Sequence, residues 1–353
     1  MIKIKNVLYL GWLGKGNVGD DVLFELFKKM FYKYATSNQN NIAVNFDTFP
    51  IVNNYKIDVS AYDLIVLGGG SLIHLPYWLK ICKEASDKGI PIVSWGTGFD
   101  HKYKSDHSLH LFQHINQYKS IYDSFTYLSV RGPFTKKLLT DIGVEKEIHE
   151  IGDPALFYAS ETFGKSFVNT DKNDKQILIN WGTSFNNIFG NNELYVENEL
   201  VKVIHYLLDK GYRVKIYPIW TEDIDAVKRL KEKVSDRRCE IQTVVYDART
   251  TQQMIEKSYI TINFKLHANI MSASVNRPFI SLAYRGKCFD FAETVQCADH
   301  AIATDEVTAD KVIHLVNNTF EYYHEIVDKI VQKKKVFYPR LLHSIRTISN
   351  ILH

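Results

Sequence analysis

Between positions 265 and 287 the chain reads KLHANIMSASVNRPFISLAYRGK, and four of these side chains suit one kind of chemistry. Lys265, Arg285 and Lys287 carry positive charge, and His267 can take or give a proton near neutral pH. Apolar strands are expected at 259–264 and 278–283, with a helix of small residues at 268–274 between them. Lys265 and His267 then stand where a strand turns into a helix, and Arg285 and Lys287 just past the next strand. In a parallel α/β sheet both places fall on the carboxyl edge, where ligands bind. The helix start at that edge also favours anions. The expected site therefore holds a small polyanion beside a proton donor. Taken alone, His267 reads more simply as a core or capping histidine. Its lysine neighbours change the weighting, because a lysine buried at a strand end needs a partner and an anionic ligand supplies one.

Arg131 follows the apolar segment 126–130 and precedes Gly132-Pro133 at a helix start. A cation there is disfavoured by the helix dipole unless it holds an anion jointly with that helix end. Three glycine-rich turns also follow apolar strands in the first half: 11–19, then 68–71 with Gly69 and Gly70, then 96–98 with Thr97. One such turn would be ordinary turn chemistry; three on one edge of a sheet indicate a ligand-lined rim. The first contains Gly14, Gly16 and Gly19 in the G-x-G-x-x-G spacing of a dinucleotide site. The acid that confirms such a site lies about 20 residues on, and the nearest strand-end candidate, Asp47, is late. Asp20 and Asp21 also put negative charge where a pyrophosphate would sit. The plainer reading is a tight turn with Asp20 as helix N-cap, and the density of glycine favours a loop whose backbone approaches a ligand.

The elements that must position these residues alternate between strand and helix through two halves. Strands are expected at 7–10, 41–49, 63–67, 92–95, 126–130 and 147–152, with helices opening at Asp20 and over about 78–88, 107–120 and 133–142. Asp153-Pro154 closes this half, and the polar stretch 158–174 is the linker. The second half has strands at 176–181, 213–219, 240–246, 259–264 and 278–283, separated by helices at 193–208, 223–234, 251–257 and 268–274. From 309 onward the chain is mostly helical, with a basic tail of Lys333, Lys334, Lys335, Arg340 and Arg346. The pattern predicts an α/β protein of two Rossmann-like doubly wound domains, 1–157 and 175–310, with a helical segment at 311–353 and a cleft between the domains.

At 353 residues, two domains of ordinary size are expected. Hydrophobic residues make up 45% and charged residues 24%, which is a globular balance. A net charge of +3 is too slight for a nucleic-acid partner, which needs a concentrated basic stripe. Cys82, Cys239, Cys288 and Cys297 are scattered without a C-x-x-C pair, so zinc and a disulfide framework are not expected and a reducing compartment fits. His74, His101, His107, His110 and His114 show no metal-binding spacing, so no metal is predicted. The opening MIKIKNVLYLGW reads as a first strand rather than a signal peptide. No apolar run reaches the roughly 20 residues needed to cross a bilayer, so a soluble cytoplasmic protein is expected. The basic tail reads most simply as a solvated helix face; the other reading lays it on anionic lipid as a peripheral membrane contact. Oligomeric state is not legible.

Taken together, Asn17-Val-Gly-Asp20, Gly68-Gly-Gly-Ser71, Ser94-Trp-Gly-Thr-Gly98, Ser129-Val-Arg131, Gly152-Asp-Pro-Ala155 and Lys265-Leu266-His267 through Pro278 to Tyr284 and Lys287 resemble the polysaccharide pyruvyl transferase family. The resemblance spans about residues 7–290, and its specificity lies in the order and spacing of the motifs. It implies a GT-B-like pair of domains, phosphoenolpyruvate as donor with no other cofactor, and a saccharide acceptor that is free, nucleotide-linked or lipid-linked, in surface-polysaccharide assembly. It also implies anion binding by Arg131 and Lys287 and a catalytic role for His267. With it, His267, Arg131 and Lys287 are expected to form the catalytic set, Lys265, Leu266, Arg285 and Ser129 to bind the donor, and Asn17, Asp20, Gly69, Gly70 and Thr97 to bind the acceptor. The first domain is then the acceptor side and the second the donor side. Cations beside His267 would lower its pKa unless the bound donor compensates, and Asp20 is placed to act as base. In one respect the chain departs from the family, which usually has arginine where Lys265 stands. Lysine is a point charge without the bidentate fork of a guanidinium, and Arg285 is the candidate to make up for it. A nucleotide-sugar glycosyltransferase of the same architecture, a nicotinamide-dependent oxidoreductase and a non-catalytic saccharide-binding protein are the competing classes. Each is separated by the ligand it would bind.

Overall fold

The computed structural model describes residues 3–34, 42–49, 57–101, 109–159 and 175–352. Most of the expected linker, and His107, lie outside these residues. The N-terminal half forms β1 (Lys3–Leu10), α1 (Val18–Tyr34), β2 (Ile42–Thr48), β3 (Leu64–Leu67), α2 (Pro76–Asp87), β4 (Ile92–Ser94), α3 (Leu109–Asn116), α4 (Lys119–Asp123), β5 (Leu128–Val130), α5 (Pro133–Asp141) and β6 (Ile148–Glu150). Strands β2-β1-β3-β4 make a parallel sheet in that order, and β5 pairs with β6 in parallel. Bridges between Val93 and Tyr127 and between Thr97 and Val130 set β5 against β4, so the sheet continues across. Strands β3 and β4 are buried along their whole length, as expected for parallel strands covered on both faces. The stripe of Val22, Leu23, Leu26, Phe27 and Met30 on α1 recurs at helical spacing and is buried.

The C-terminal half forms β7 (Gln176–Asn180), α6 (Glu193–Asp209), β8 (Arg213–Tyr217), α7 (Ile224–Val234), β9 (Cys239–Ile241), α8 (Ala248–Lys257), β10 (Ile260–Asn263), α9 (Leu266–Ser274), β11 (Phe279–Ala283), α10 (Gly286–Thr294), β12 (Ala301–Ala303), α11 (Ala309–Glu321) and α12 (Tyr323–Ile351). Its sheet is parallel throughout, in the order β12-β11-β10-β7-β8-β9. The strand expected at 240–246 stops at Ile241, where the chain turns away and the Gln242 side chain donates to the Val244 carbonyl at 2.7 Å. In each sheet the strand order reverses once, between β1 and β3 and between β7 and β10. Those reversals open the crevices in which α/β sheets bind ligands, and the two crevices hold the loops described below.

Helix α12 has 29 residues, about 43 Å at the standard rise. It starts against the second domain, where Arg277 Nη1 donates to the Tyr323 hydroxyl at 3.0 Å. Its far part lies on the first domain: Tyr338 and Tyr34 hydroxyls are 2.9 Å apart, and Trp95 Nε1 donates to Ser344 Oγ at 3.1 Å. The expected solvated basic face is corrected at Lys334, which is 1% exposed. Its ammonium donates to the Ser274 carbonyl at 2.6 Å and Asn276 Oδ1 at 2.8 Å, and burial lowers its pKa to about 8. Among the described residues no helix is long and apolar enough to cross a membrane. All four cysteines are free and buried.

Candidate active site

The glycine loop after β1 is built against the second domain. Val18 N donates to the Ile219 carbonyl (3.2 Å), Thr221 N to the Gly16 carbonyl (3.3 Å) and Trp220 Nε1 to the Lys15 carbonyl (2.9 Å). A Cβ on Gly16 would stand 2.8 Å from Thr221 Cγ2, and φ there is +68°, so this position suits glycine twice over. The backbone approach expected of this loop is thus an approach to protein. Two N–H groups a pyrophosphate would use are already taken: Gly14 N donates to Asp21 Oδ1 and Gly19 N to Asn17 Oδ1, each at 3.1 Å. Asn17, not Asp20, therefore caps α1, which leaves the Asp20 carboxyl to face the space between the domains.

That space is a cavity of about 430 Å³ between the carboxyl edges of the two sheets. From the first domain Asn17, Asp20, Gly70 and Arg131 line it, and from the second Lys265, Leu266, His267, Arg285 and Lys287. Gly69, Thr97 and Ser129, expected in contact with ligand, do not line it. A Cβ on Gly69 would meet Leu23 Cδ2 at 2.8 Å, so that glycine faces the core. Thr97 is buried between bridges to Gly70 and Val130. Ser129 Oγ donates to the Ser94 carbonyl at 2.6 Å and accepts from Gly96 N at 3.2 Å, joining β4 to β5. These three shape the rim from behind. Asp100, Ser184, Trp12 and Trp220 line the cavity too, without having been singled out by motif.

His267 sits in the first turn of α9, its imidazole laid on Gly19 at the start of α1. A Cβ on Gly19 would stand 2.0 Å from His267 Cγ, so only glycine leaves room for the ring. Nε2 is buried and has no protein partner among the described residues. Burial, then Lys287 and Arg131, lower the His267 pKa to about 3, so the imidazole is neutral. Arg131 is 3% exposed. Its Nη2 donates to Ser71 Oγ at 3.1 Å and the Phe99 carbonyl at 3.2 Å, while Nε and Nη1 have no partner among the described residues. Gly98 makes space for that guanidinium, since a Cβ there would be 2.3 Å from Nε. Burial raises the Asp20 pKa to about 7 against the opposing pull of Lys287 and Arg131.

The other cations already have carboxylates. Lys265 Nζ is 3.1 Å from Asp223 Oδ1, donates to the Thr183 carbonyl and lies 4.8 Å from the centre of the Trp220 ring. The partner that burial of Lys265 demands is therefore Asp223, which also accepts from Thr183 N and Trp220 N at 3.1 Å. Arg285 Nη1 and Lys287 Nζ share Asp100 Oδ2 at 3.0 and 3.2 Å. Burial works against both charges of the Asp100–Lys287 pair, yet their attraction holds the Asp100 pKa below and the Lys287 pKa above its ordinary value. Among the described residues no cluster of three metal-ligating side chains occurs. The cavity thus combines an arginine fork with two open donors, a neutral imidazole, a carboxyl titrating near neutrality and a lysine held charged.

Solved structures share this architecture at low identity. MnaA of S. aureus, determined with UDP, superposes with a TM-score of 0.60 at 11% identity, covering 93% of this chain and 90% of that one. UDP-GlcNAc 2-epimerase of Neisseria meningitidis, bound to UDP-GlcNAc, gives 0.57 at 12%, covering 97% and 100%. A UDP-glucosyltransferase of Polygonum tinctorium gives 0.59 at 8%, covering 100% and 99%. These likenesses establish a GT-B-like fold. No curated protein sequence matches the chain. Residues 17–286, from the Asn17 cap to the start of α10, match the polysaccharide pyruvyl transferase family over most of the chain, and the protein belongs to that family.

Proposed function

We infer that this protein transfers pyruvate from phosphoenolpyruvate onto two hydroxyls of a sugar, as a cyclic ketal destined for a surface polysaccharide. One observation carries the reading. Arg131 from the first domain and His267 from the second line the same cavity, each with buried nitrogen that lacks a protein partner among the described residues. Open donors of that kind are costly unless a ligand completes them. In this reading Arg131 and Lys287 hold the carboxylate and phosphate of the donor, the guanidinium fork matching either group. Lys265 and Arg285, tied to Asp223 and Asp100, form the charged wall beside it.

The bound donor brings negative charge next to His267 and raises its pKa, so that an imidazolium forms. It gives its proton to the methylene carbon of the enol phosphate. The adjacent carbon is then electron-poor, and the first sugar hydroxyl adds there as its proton passes to Asp20. Phosphate departs with the C–O bonding pair, the second hydroxyl closes the ketal, and its proton leaves with phosphate. One proton ends on the new methyl group and one on phosphate, matching the two lost by the hydroxyls once Asp20 gives up the proton it took and His267 regains the one it gave.

Phosphate release from phosphoenolpyruvate, measured with a panel of pyranoside acceptors, tests the reading. His267→Ala and Arg131→Ala are expected to lose at least about 100-fold in turnover, as removing a general acid or a charge clamp does, while keeping the wild-type circular dichroism spectrum. Unchanged rates in either variant would defeat it. Saturable binding of a nucleotide sugar without phosphoenolpyruvate binding would point instead to glycosyl transfer.

A further inference from the structure

Exposure changes sharply along the cavity, and its chemistry changes with it. Arg131 is 3% exposed, whereas Trp12 is 40% exposed. Both indoles of the cavity wall, Trp12 and Trp220, stand toward the open end, one from each domain. Trp220 is fixed by its bond to the Lys15 carbonyl, by Lys265 over its ring, and by Phe185 meeting it edge-on with centroids 6.0 Å apart. Trp12 makes no ring, cation or side-chain hydrogen-bond contact among the described residues. It contributes little to any core, yet a large apolar surface held at a cavity rim is the usual mark of a ligand face.

We propose that Trp12 is the stacking platform for a pyranose ring of the acceptor, with Trp220 closing the opposite side of the cavity mouth. This rests on the acceptor half of the function proposed above. A pyranose offers an apolar face of C–H groups and a hydroxylated edge, so it needs an aromatic plane next to polar groups. Trp12 lies on the connection that carries Asn17 and leads into Asp20 in the first turn of α1, and these two supply amide and carboxyl groups to the same cavity. The donor, with about ten non-hydrogen atoms, is small against a cavity in the ~300–1,000 Å³ range of drug-sized sites, which leaves room for a sugar beside it. Because Trp12 stacks and takes no part in proton transfer, it sets acceptor affinity rather than the rate of chemistry.

Calorimetric titration of wild type, Trp12→Phe and Trp12→Ala with the methyl pyranosides of glucose, galactose and mannose, with UDP, and with phosphoenolpyruvate tests this. Trp12→Ala is expected to weaken the best glycoside by about three- to tenfold, the range of one aromatic contact, and Trp12→Phe by about twofold or less. Phosphoenolpyruvate affinity stays at wild-type level in both. The stacking site is overturned if no glycoside binds, if Trp12→Ala binds it as tightly as wild type, or if UDP displaces it and is itself the ligand that depends on Trp12. The phosphoenolpyruvate titration separates the two claims. Donor binding with Trp12-independent glycoside binding sinks the stacking site alone, and absent donor binding sinks the pyruvyl-transfer reading.

Discussion

A neutral imidazole is the wrong form for an acid, and burial, Lys287 and Arg131 keep His267 neutral. In the proposed reaction the donor charges it, so that acid catalysis would begin only with the substrate in place. Asp20 is poised in the opposite sense, with a pKa raised to about 7 mainly by burial. The ratio kcat/KM reports the free enzyme, in which Asp20 must be ionised and His267 protonated with their pKa values in reverse order. Its pH profile is therefore expected to be level below about 7 and to fall above it, and Asp20→Asn should remove that break along with most turnover. The same shift bears on stability. A carboxyl whose folded pKa lies above its unfolded value contributes stability at low pH that is lost as pH rises through the folded pKa. Melting curves should therefore favour Asp20→Asn over wild type more at pH 8 than at pH 5; a pH-independent difference would contradict the assignment. The positions of Arg131, Lys265, His267 and Lys287 were readable from spacing, because a parallel sheet sends every strand end to one edge. The partners of Lys265 and Lys287 were not. Asp223 and Asp100 meet them only across the fold, and no local pattern marks a buried counter-ion.

Elements hold the site through contacts between domains. Asp290 of α10 accepts from Phe134 N at 2.9 Å in the first turn of α5, and a Cβ on Gly132 would collide with it at 2.4 Å from Oδ1. The second domain thereby caps the helix that begins just after Arg131. Asp290→Ala is expected to cost about 1 kcal/mol, the usual price of a lost N-cap, and to weaken phosphoenolpyruvate binding by loosening the seat of Arg131. A urea midpoint indistinguishable from wild type would show that the cap carries no weight. Helix and strand periodicity was legible for the long elements, such as the buried stripe of α1. It failed where a side chain chose among several roles. Asp20 has the right chemistry for an N-cap, but Asn17 reaches the Gly19 amide and takes that place. Lys334 has the look of a solvated lysine, but α12 turns it inward onto the C-terminal end of α9.

At the scale of the whole molecule, the cavity lies where residues that follow the carboxyl ends of strands from both sheets converge. The first sheet contributes the arginine fork and the Asp20 carboxyl, the second the imidazole and Lys287. Helix α12 straps the halves together, with Tyr323 against the second domain and Ser344 against the first. The two-domain α/β architecture followed from alternation of strand and helix, whereas the return of the last helix had no signature, because an amphipathic stripe does not say which surface it covers. The central claim is that both domains grip one compact polyanion. Calorimetry of phosphoenolpyruvate with wild type, Arg131→Ala and Lys287→Ala tests it most directly. Binding to wild type that falls by about 30-fold or more in each variant, as expected when one partner of a buried charge-assisted contact is removed, is the predicted result; wild-type affinity in either variant would contradict it.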